Sequence, residues 1–560
     1  MNGGDVVAAF LEECGAVTAF GVSSIHNMPM LDAIGRRNRI RFVPSRGEAG
    51  AVNMADALSR VAGSLGVAIT STGPGAANAA GSLLEAWSAG SPVLHLTGQV
   101  DVAYLDRQRA FNHEAKDQLK MLESVSKAAF RVWSVETLPG ALKKAVEIAL
   151  TPPMGPVSIE IPIDVQKARV TFPVELKPLG VRPQRAEDGD LAEIAELASR
   201  ARRPLIWIGG GGRQATQATL RLAEMGFGVV TSVNGRGVIP EDHPACLGAF
   251  NGGPLIEAFY QTCDLMLVVG SRLRGNETRN YAMRLPRLLA QIDADPAAWG
   301  RAYPVAKFAC GEAVDALSRL VPLLDGRVII ESGFSDDLRS TKAAAVNGMR
   351  AEIGPYATIA DALRHEMPRD AVWVRDVTIA NTTWGNRYLP LYGSRDSVHA
   401  ISAGIGQGMP MGIGAYFAVQ GSRKVVVLCG DGGLFLNVGE LATAVQENVD
   451  IVLIVMNDGG YGVIKNIQDH SYGGRHYFAD LKSPDLGEFA KVMGIHFGRV
   501  RHVGEFAGAM RFALAQRGPA MIEVDMKSIG PYPVPFGGPP TQGRVADLPT
   551  ETNAEHPAPR

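Results

Sequence analysis

Cysteine is scarce. The five in 560 residues (Cys14, Cys246, Cys263, Cys310, Cys429) form no CxxC pair and no metal-ligand spacing. That argues against a disulfide framework or a structural zinc site and fits a reducing compartment. Neither sign of charge is in surplus, with Lys+Arg at 55 against Asp+Glu at 57. A nucleic-acid footprint needs clustered basic excess, so no nucleic-acid partner is expected. Long apolar runs are missing too: VVVLC at 425–429 and IVLIVM at 451–456 are strand-length. Both fall far short of the roughly 20 residues that cross a bilayer. The N-terminus, MNGGDVVAAFLEECGAV, has no basic segment ahead of an apolar one, so no signal peptide is expected. These absences describe a soluble, cytoplasmic protein without a membrane partner. Glycine, by contrast, is plentiful at 64 residues without a collagen-like period. Such glycines serve turns and the close approach of backbone to ligands.

Short β-branched runs alternate with Ala/Leu/Glu stretches along most of the chain. Helices are predicted at 4–14, 48–62, 76–88 and 137–150, and strands at 17–21, 66–71, 92–97 and 157–162. This alternation implies parallel sheets covered by helices on both faces. It breaks in the Pro-rich, charged stretch 165–188, which reads as a linker, and resumes with PLIWIGGGG at 204–212. A second irregular stretch is predicted around 325–355. The expected organisation is α/β, with three doubly wound domains at 1–165, 188–325 and 356–530. Residues 531–560 form a Pro/Gly-rich tail, whose last ~20 residues cannot support a core of their own.

The most specific pattern lies in the third domain. The strand KVVVLCG runs into Gly430-Asp431-Gly432-Gly433, a helical stretch LNVGELATAVQ comes next, and a second strand ends in Asn457-Asp458-Gly459-Gly460. Glycines let backbone N–H groups approach an anion, and Asp and Asn oxygens at strand ends suit Mg²⁺. Taken singly, GDGG reads as a tight turn and NDGG as a hairpin turn. Taken together, GDG, 24 residues (433–456) and then Asn resembles the diphosphate–Mg²⁺ motif of thiamine diphosphate (ThDP) enzymes. EAGAVNMADALSR (48–60), TSTGPGAANA (70–79) and GRGVIPEDHPACLG (235–248) are similar to the acetolactate synthase-like branch of that family.

The resemblance implies pyrimidine-binding, central and diphosphate-binding domains in that order. It implies Mg²⁺ on Asp431, Asn457 and the carbonyl of Gly459, with Gly430, Gly432 and Gly433 around the diphosphate. Thr378 and Asn381 fall where the family's second diphosphate loop lies, although TIAN departs from the usual Gly-Gln-His. Gly404 and Ile405 fall where a bulky aliphatic residue bends the cofactor; ordinary core packing is the plain alternative. Glu48 matches the carboxylate that hydrogen-bonds the pyrimidine ring, and a buried acid with a raised pKa would suit that proton sharing. Read alone, it is a helix-N-terminal acid favoured by the dipole. In the family this carboxylate faces the diphosphate domain of another subunit, which implies a homodimer at least and a homotetramer by analogy.

The substrate side departs from acetolactate synthases. Ala-Phe-Gln-Glu becomes Ala110-Phe111-Asn112-His113-Glu114, and the Trp after the metal Asn becomes Ile467 in VIKNIQ. Ile25, Gln118, Ile464 and Ile467 are the expected pocket, with Gln99 a further candidate. His26 falls where benzaldehyde lyase has an active-site His, and His113 aligns with a polar residue there. Either could relay a proton to a developing alkoxide; their plain readings are a turn-packing His and a surface-loop His. IGGGGR (208–213) leaves FAD open for the central domain, though GSRLRGNETRN (270–280) lacks the flavin-binding residues. The reading is a C–C lyase, decarboxylase or carboligase for small 2-oxo acids or 2-hydroxy ketones larger than pyruvate. Acetolactate synthase and a catalytically silent ThDP- or nucleotide-binding relative are the alternatives.

Overall fold

The computed structural model describes residues 1–538. Three six-stranded sheets carry the chain, and all their strands pair in parallel. The first sheet runs Arg41–Pro44, Thr18–Gly21, Gly66–Thr70, Val93–Gln99, Val157–Pro162, Ala128–Arg131. The third runs Ser397–His399, Val372–Arg375, Val425–Gly430, Ile451–Asn457, Ala520–Asp525, His496–Val500. Numbered within each unit, both have the order 2-1-3-4-6-5. The central sheet, from Cys246–Gly248 through Pro204–Ile208 and Leu265–Val269 to Lys307–Cys310, reads 3-2-1-4-5-6 when its strands are numbered in chain order, the dinucleotide-binding order of neighbours. Its reversal point lies between Pro204–Ile208 and Leu265–Val269.

Central strands such as Val425–Gly430 and Ile451–Asn457 are buried on both faces, which is why they read as unbroken apolar runs. The helix Glu48–Ala62 ends on Gly63 at φ +70, the left-handed stop that glycine provides. It crosses the helix Gly408–Val419 so closely that a Cβ on Gly414 would collide with the Met54 carbonyl. Through that crossing Phe20, Val43 and Met54 share one apolar core with Val374, Met411 and Val427. Trp207 and Tyr260 likewise join Trp373 and Trp384 between the central and third sheets.

Two expectations are corrected. The stretch 325–355 is not irregular: Phe334–Ile353 is a 20-residue helix. Only Phe334, Leu338, Met349 and Ile353 are buried on it, a stripe too thin to announce a helix. The span after the GDGG turn is two short helices, Asp431–Leu436 and Glu440–Gln446, rather than one. The linker does lack regular structure over 168–187, and half-buried Val170, Phe172, Val174 and Leu176 lie against the first domain's core. Among the described residues no helix is long and apolar enough to cross a membrane. The tail residues 539–560 lie outside the described residues.

Candidate active site

At the carboxyl ends of Val425–Gly430 and Ile451–Asn457 the two glycine-rich turns lie side by side, since Gly430 pairs with Met456. Neither is a hairpin. The first passes from strand into helix, and the second leads into the helix Gly462–Ser471. Among the described residues neither buried carboxylate oxygen of Asp431 has a well-formed hydrogen bond, and the nearby Asp458 backbone only partly offsets the burial. Burial, and then the neighbouring Asp458, push its pKa up to about 7. A buried acid that no protein donor fully satisfies has the chemistry of a cation ligand. The Asn457 amide is aimed: its Nδ2 donates to Glu523 at 2.7 Å, and its Oδ1 accepts from the Gly459 N–H at 3.1 Å. The carbonyl of Gly459, at φ +71, already accepts from the Leu481 N–H at 3.1 Å and from Lys465 Nζ at 3.4 Å, so a cation there would displace the lysine. Among the described residues no group of three His, Cys, Asp or Glu side chains could hold a metal, so a cation here must draw on amide, carbonyl and ligand oxygens as well.

Glycine at 430–433 keeps this surface open. A Cβ on Gly430 would meet Thr378 Oγ1 at 3.2 Å, and one on Gly432 would meet Tyr461 at 2.8 Å. Asp376, buried beneath, accepts from the Gly406 N–H at 3.0 Å and lies against Gly433. Burial outweighs those backbone bonds and lifts its pKa to about 6. It therefore ties the loop carrying Gly404 and Ile405 to the acidic turn. Ile405 is 40% exposed, so it is not the core-packing residue of the plain reading. Asn381 opens a π-helical turn, Asn381–Gly385, and its Oδ1 is buried without a partner.

The first domain collects the proton-handling candidates. Glu48, half-buried at the start of its helix, accepts from Asn78 Nδ2 at 3.1 Å. It is not the fully buried acid expected from the sequence. Glu48 Oε1 and Ser71 Cβ both lie about 3 Å from where a Cβ on Gly75 would stand (3.0 and 2.8 Å). His26 and His113 meet with ring centroids 5.1 Å apart. Burial, then His113, pull the His26 pKa down, and His26 Nδ1 is buried without a partner. His113 adopts φ +66, and its carbonyl fills the space a side chain on Gly73 would need. Gln118 Oε1 accepts from the Gly73 N–H (2.6 Å), and the single Thr72 hydroxyl proton is shared between Gln118 Oε1 (2.9 Å) and Gln99 Oε1 (3.0 Å). Both glutamines thus brace the Thr72–Gly73 turn.

Ile25 is 65% and Ile464 46% exposed, while half-buried Ile467 is covered by Gly538, where an added Cβ would lie 3.1 Å from its Cγ1. The structure thus gathers Thr378, Gly404, Ile405, Gly430–Gly433, Asn457 and Gly459 into one cluster, and Glu48, His26, His113 and Gln118 into another. Among the described residues nothing ties the Glu48 carboxylate to the acidic turn of its own chain. Sequence reasoning missed Asp376, Asp458 and Lys465. Asp458 directly follows Asn457, so for it an acid beside a glycine turn was the available signal; Asp376, just after the strand Val372–Arg375, and Lys465 had none.

At the reversal point of the central sheet lies a cavity of about 440 Å³ lined by Gly210, Gly211, Asn234, Arg272, Arg274 and Asp293, among others. The strand Gly228–Thr231 ends in Ser232 rather than an acid, so the usual ribose-hydroxyl acceptor is missing there.

Three family models match the chain. They are the N-terminal TPP (thiamine pyrophosphate, that is ThDP) binding domain of thiamine pyrophosphate enzymes over 1–121, their central domain over 191–320, and their C-terminal TPP binding domain over 379–524. The chain is 27% identical to a probable acetolactate synthase large subunit of Methanocaldococcus jannaschii, over 96% of this chain and 94% of that one. It is 29% identical to a probable 2-ketoarginine decarboxylase, AruI, of Pseudomonas aeruginosa, over 94% of each. A solved structure from Mycobacterium smegmatis, described as a thiamin diphosphate-dependent enzyme, superposes with a TM-score of 0.78. It is 25% identical and covers 94% of this chain and 99% of that one.

Proposed function

Because the chain belongs to the thiamine pyrophosphate enzymes, in their acetolactate synthase-like branch, we propose that it is a Mg²⁺-assisted lyase, decarboxylase or carboligase for 2-oxo acids or 2-hydroxy ketones larger than pyruvate. The observation that carries the cofactor assignment is Asp431, buried with neither oxygen in a well-formed hydrogen bond beside an aimed Asn457. Asp431, Asn457 Oδ1 and the Gly459 carbonyl would hold Mg²⁺, and the glycines at 430, 432 and 433 with Thr378 and Asn381 would receive the diphosphate. When bound, ThDP supplies a C2 carbanion that adds to a carbonyl carbon and an electron sink for the adjacent C–C bond.

This chain's own residues would do the rest. Glu48 shares a proton with the cofactor's pyrimidine ring, and Gly404 and Ile405 present an aliphatic face toward it. His26, kept neutral by burial, accepts a proton in the substrate pocket, and His113 completes the polar wall. Since Glu48 has no tie to its own chain's acidic turn, a second copy would complete the site, giving a homodimer or a homotetramer. FAD in the central cavity is the weaker reading, since Ser232 stands where the ribose-hydroxyl acceptor would be and 270–280 lacks the flavin-binding residues; visible flavin absorbance in the purified protein would restore it.

Ile464 and Ile467 are what support a substrate larger than pyruvate. Aliphatic groups on the helix Gly462–Ser471 favour each further buried CH₂ by about 0.8 kcal/mol. A relative described as a 2-ketoarginine decarboxylase is consistent with a roomier pocket. kcat/KM is to be compared for pyruvate, longer and aromatic 2-oxo acids and benzoin-type ketones, in wild type and Ile467→Trp. Larger substrates should lead in wild type and lose ground in the variant. If conversion of pyruvate to acetolactate is fastest in wild type, the protein is an acetolactate synthase and the pocket argument fails.

A further inference from the structure

Two serines without a role in the proposed chemistry form a hydroxyl chain ending on His113. The His26 backbone N–H donates to Ser24 Oγ at 3.3 Å, Ser24 Oγ and Ser71 Oγ are 2.6 Å apart, and Ser71 Oγ lies 3.3 Å from His113 Nδ1. Ser24 is itself fixed, its N–H donating to Asn27 Oδ1 at 2.9 Å while Asn27 Nδ2 donates to the Val22 carbonyl at 2.9 Å. Each hydroxyl has one proton to give, so the chain can run in only two directions. The amide at one end can only donate. If Ser24 passes its proton to Ser71, and Ser71 to His113 Nδ1, every donor and acceptor on the path is used. In the reverse direction half-buried Ser24 would have to give its proton to solvent, and the His113 Nδ1 proton would be spent on Ser71.

We infer that Ser24 and Ser71 are positioning residues that hold the neutral His113 ring with Nδ1 as acceptor and its proton on Nε2. His113 then serves the substrate as a hydrogen-bond donor. His26, whose buried Nδ1 has no partner, is left as the acceptor of the pair. The two imidazoles 5.1 Å apart are thereby unequal: one gives a hydrogen bond and the other takes a proton. This assignment rests on the ThDP-enzyme proposal for its catalytic meaning, but not for its geometry.

The test uses the full chain with ¹⁵N-labelled histidine. The His113 resonance is assigned by its loss in His113→Gln, and its tautomer is read by solid-state NMR without added cofactor or substrate. His113 should carry its proton on Nε2 with Nδ1 bare; a proton on Nδ1 in wild type overturns the inference. Ser71→Ala should release the ring to a mixture of tautomers and lower kcat about 10-fold. Adding His113→Gln to that variant should cost little more, because both changes remove one interaction. Fully additive losses would also overturn it. Hydrogen–deuterium exchange at the C2 of added ThDP keeps the two proposals apart. Its absence in wild type defeats the ThDP assignment, while an unchanged rate in Ser71→Ala places the serine effect on the substrate side.

Discussion

The first and third sheets have the same strand order, yet their loops carry opposite kinds of chemistry. At the first, Glu48, His26, His113 and Ser71 can each pass or hold a proton. At the third, Asp431, Asn457 and the Gly459 carbonyl offer hard oxygens, and the surface between them is kept bare by glycine. On the proposed reading one scaffold presents a proton-transfer surface and an ion-binding surface, and the difference lies in the loops at the strand ends. The central sheet, with its other order, places a cavity at its reversal point and none of these residues. Architecture here supplies positions; side chains at strand ends supply function.

The sharpest way to break the division is at the ion-binding surface. Asp431→Ala should abolish co-elution of ThDP and Mg²⁺ on gel filtration while leaving the fold intact, since it removes a buried charge that no protein donor fully satisfies. Full cofactor occupancy in that variant would sink the assignment. Next in size, Glu48→Gln should retain ThDP but slow C2 proton exchange by about 10²–10⁴-fold, the range for a lost general acid–base group. Acid-quenched NMR measures this, and an unchanged rate would remove Glu48 from proton transfer.

The smallest effect is thermodynamic. In the metal-free protein the folded Asp431 carboxyl titrates at about 7, above its unfolded value. An acid whose folded pKa is raised binds more protons folded than unfolded, so it costs stability as pH rises from about 4 to 7. Thermal denaturation should therefore show wild type losing Tm across that window relative to Asp431→Asn, by a free energy on the order of a few kcal/mol. Mg²⁺ with ThDP should reverse the loss. A parallel pH dependence in both proteins would show that the carboxyl is not strained by burial.

Much of this was legible in the residues. Fully buried parallel strands announce themselves as apolar runs, and Asp431 and Asn457 fall at the ends of two such runs, so the ion-binding turn could be read from spacing. The helix Phe334–Ile353 could not, because four buried residues in twenty leave its amphipathic pattern faint. Nor could the hydroxyl chain: Ser24 and Ser71 are 47 residues apart and meet only because their strands neighbour in the sheet. Asp376 was hidden by its surroundings, since an acid under a loop looks in sequence like any other strand-end acid.

The crossing of Glu48–Ala62 on Gly408–Val419 bears on how the enzyme can move. Where a glycine stands in for a side chain against a carbonyl, the two helices have no slack to slide or roll without a backbone clash. At that seam the first and third domains are in direct backbone contact, so any motion between them has to pivot elsewhere than on this crossing. Substrate entry and product release must then fall to the segments that lack such an anchor. The stretch 105–117, with left-handed Asp106, Gln108, Ala110 and His113, has one such anchor of its own where the His113 carbonyl stands against Gly73, so only its residues ahead of His113 qualify.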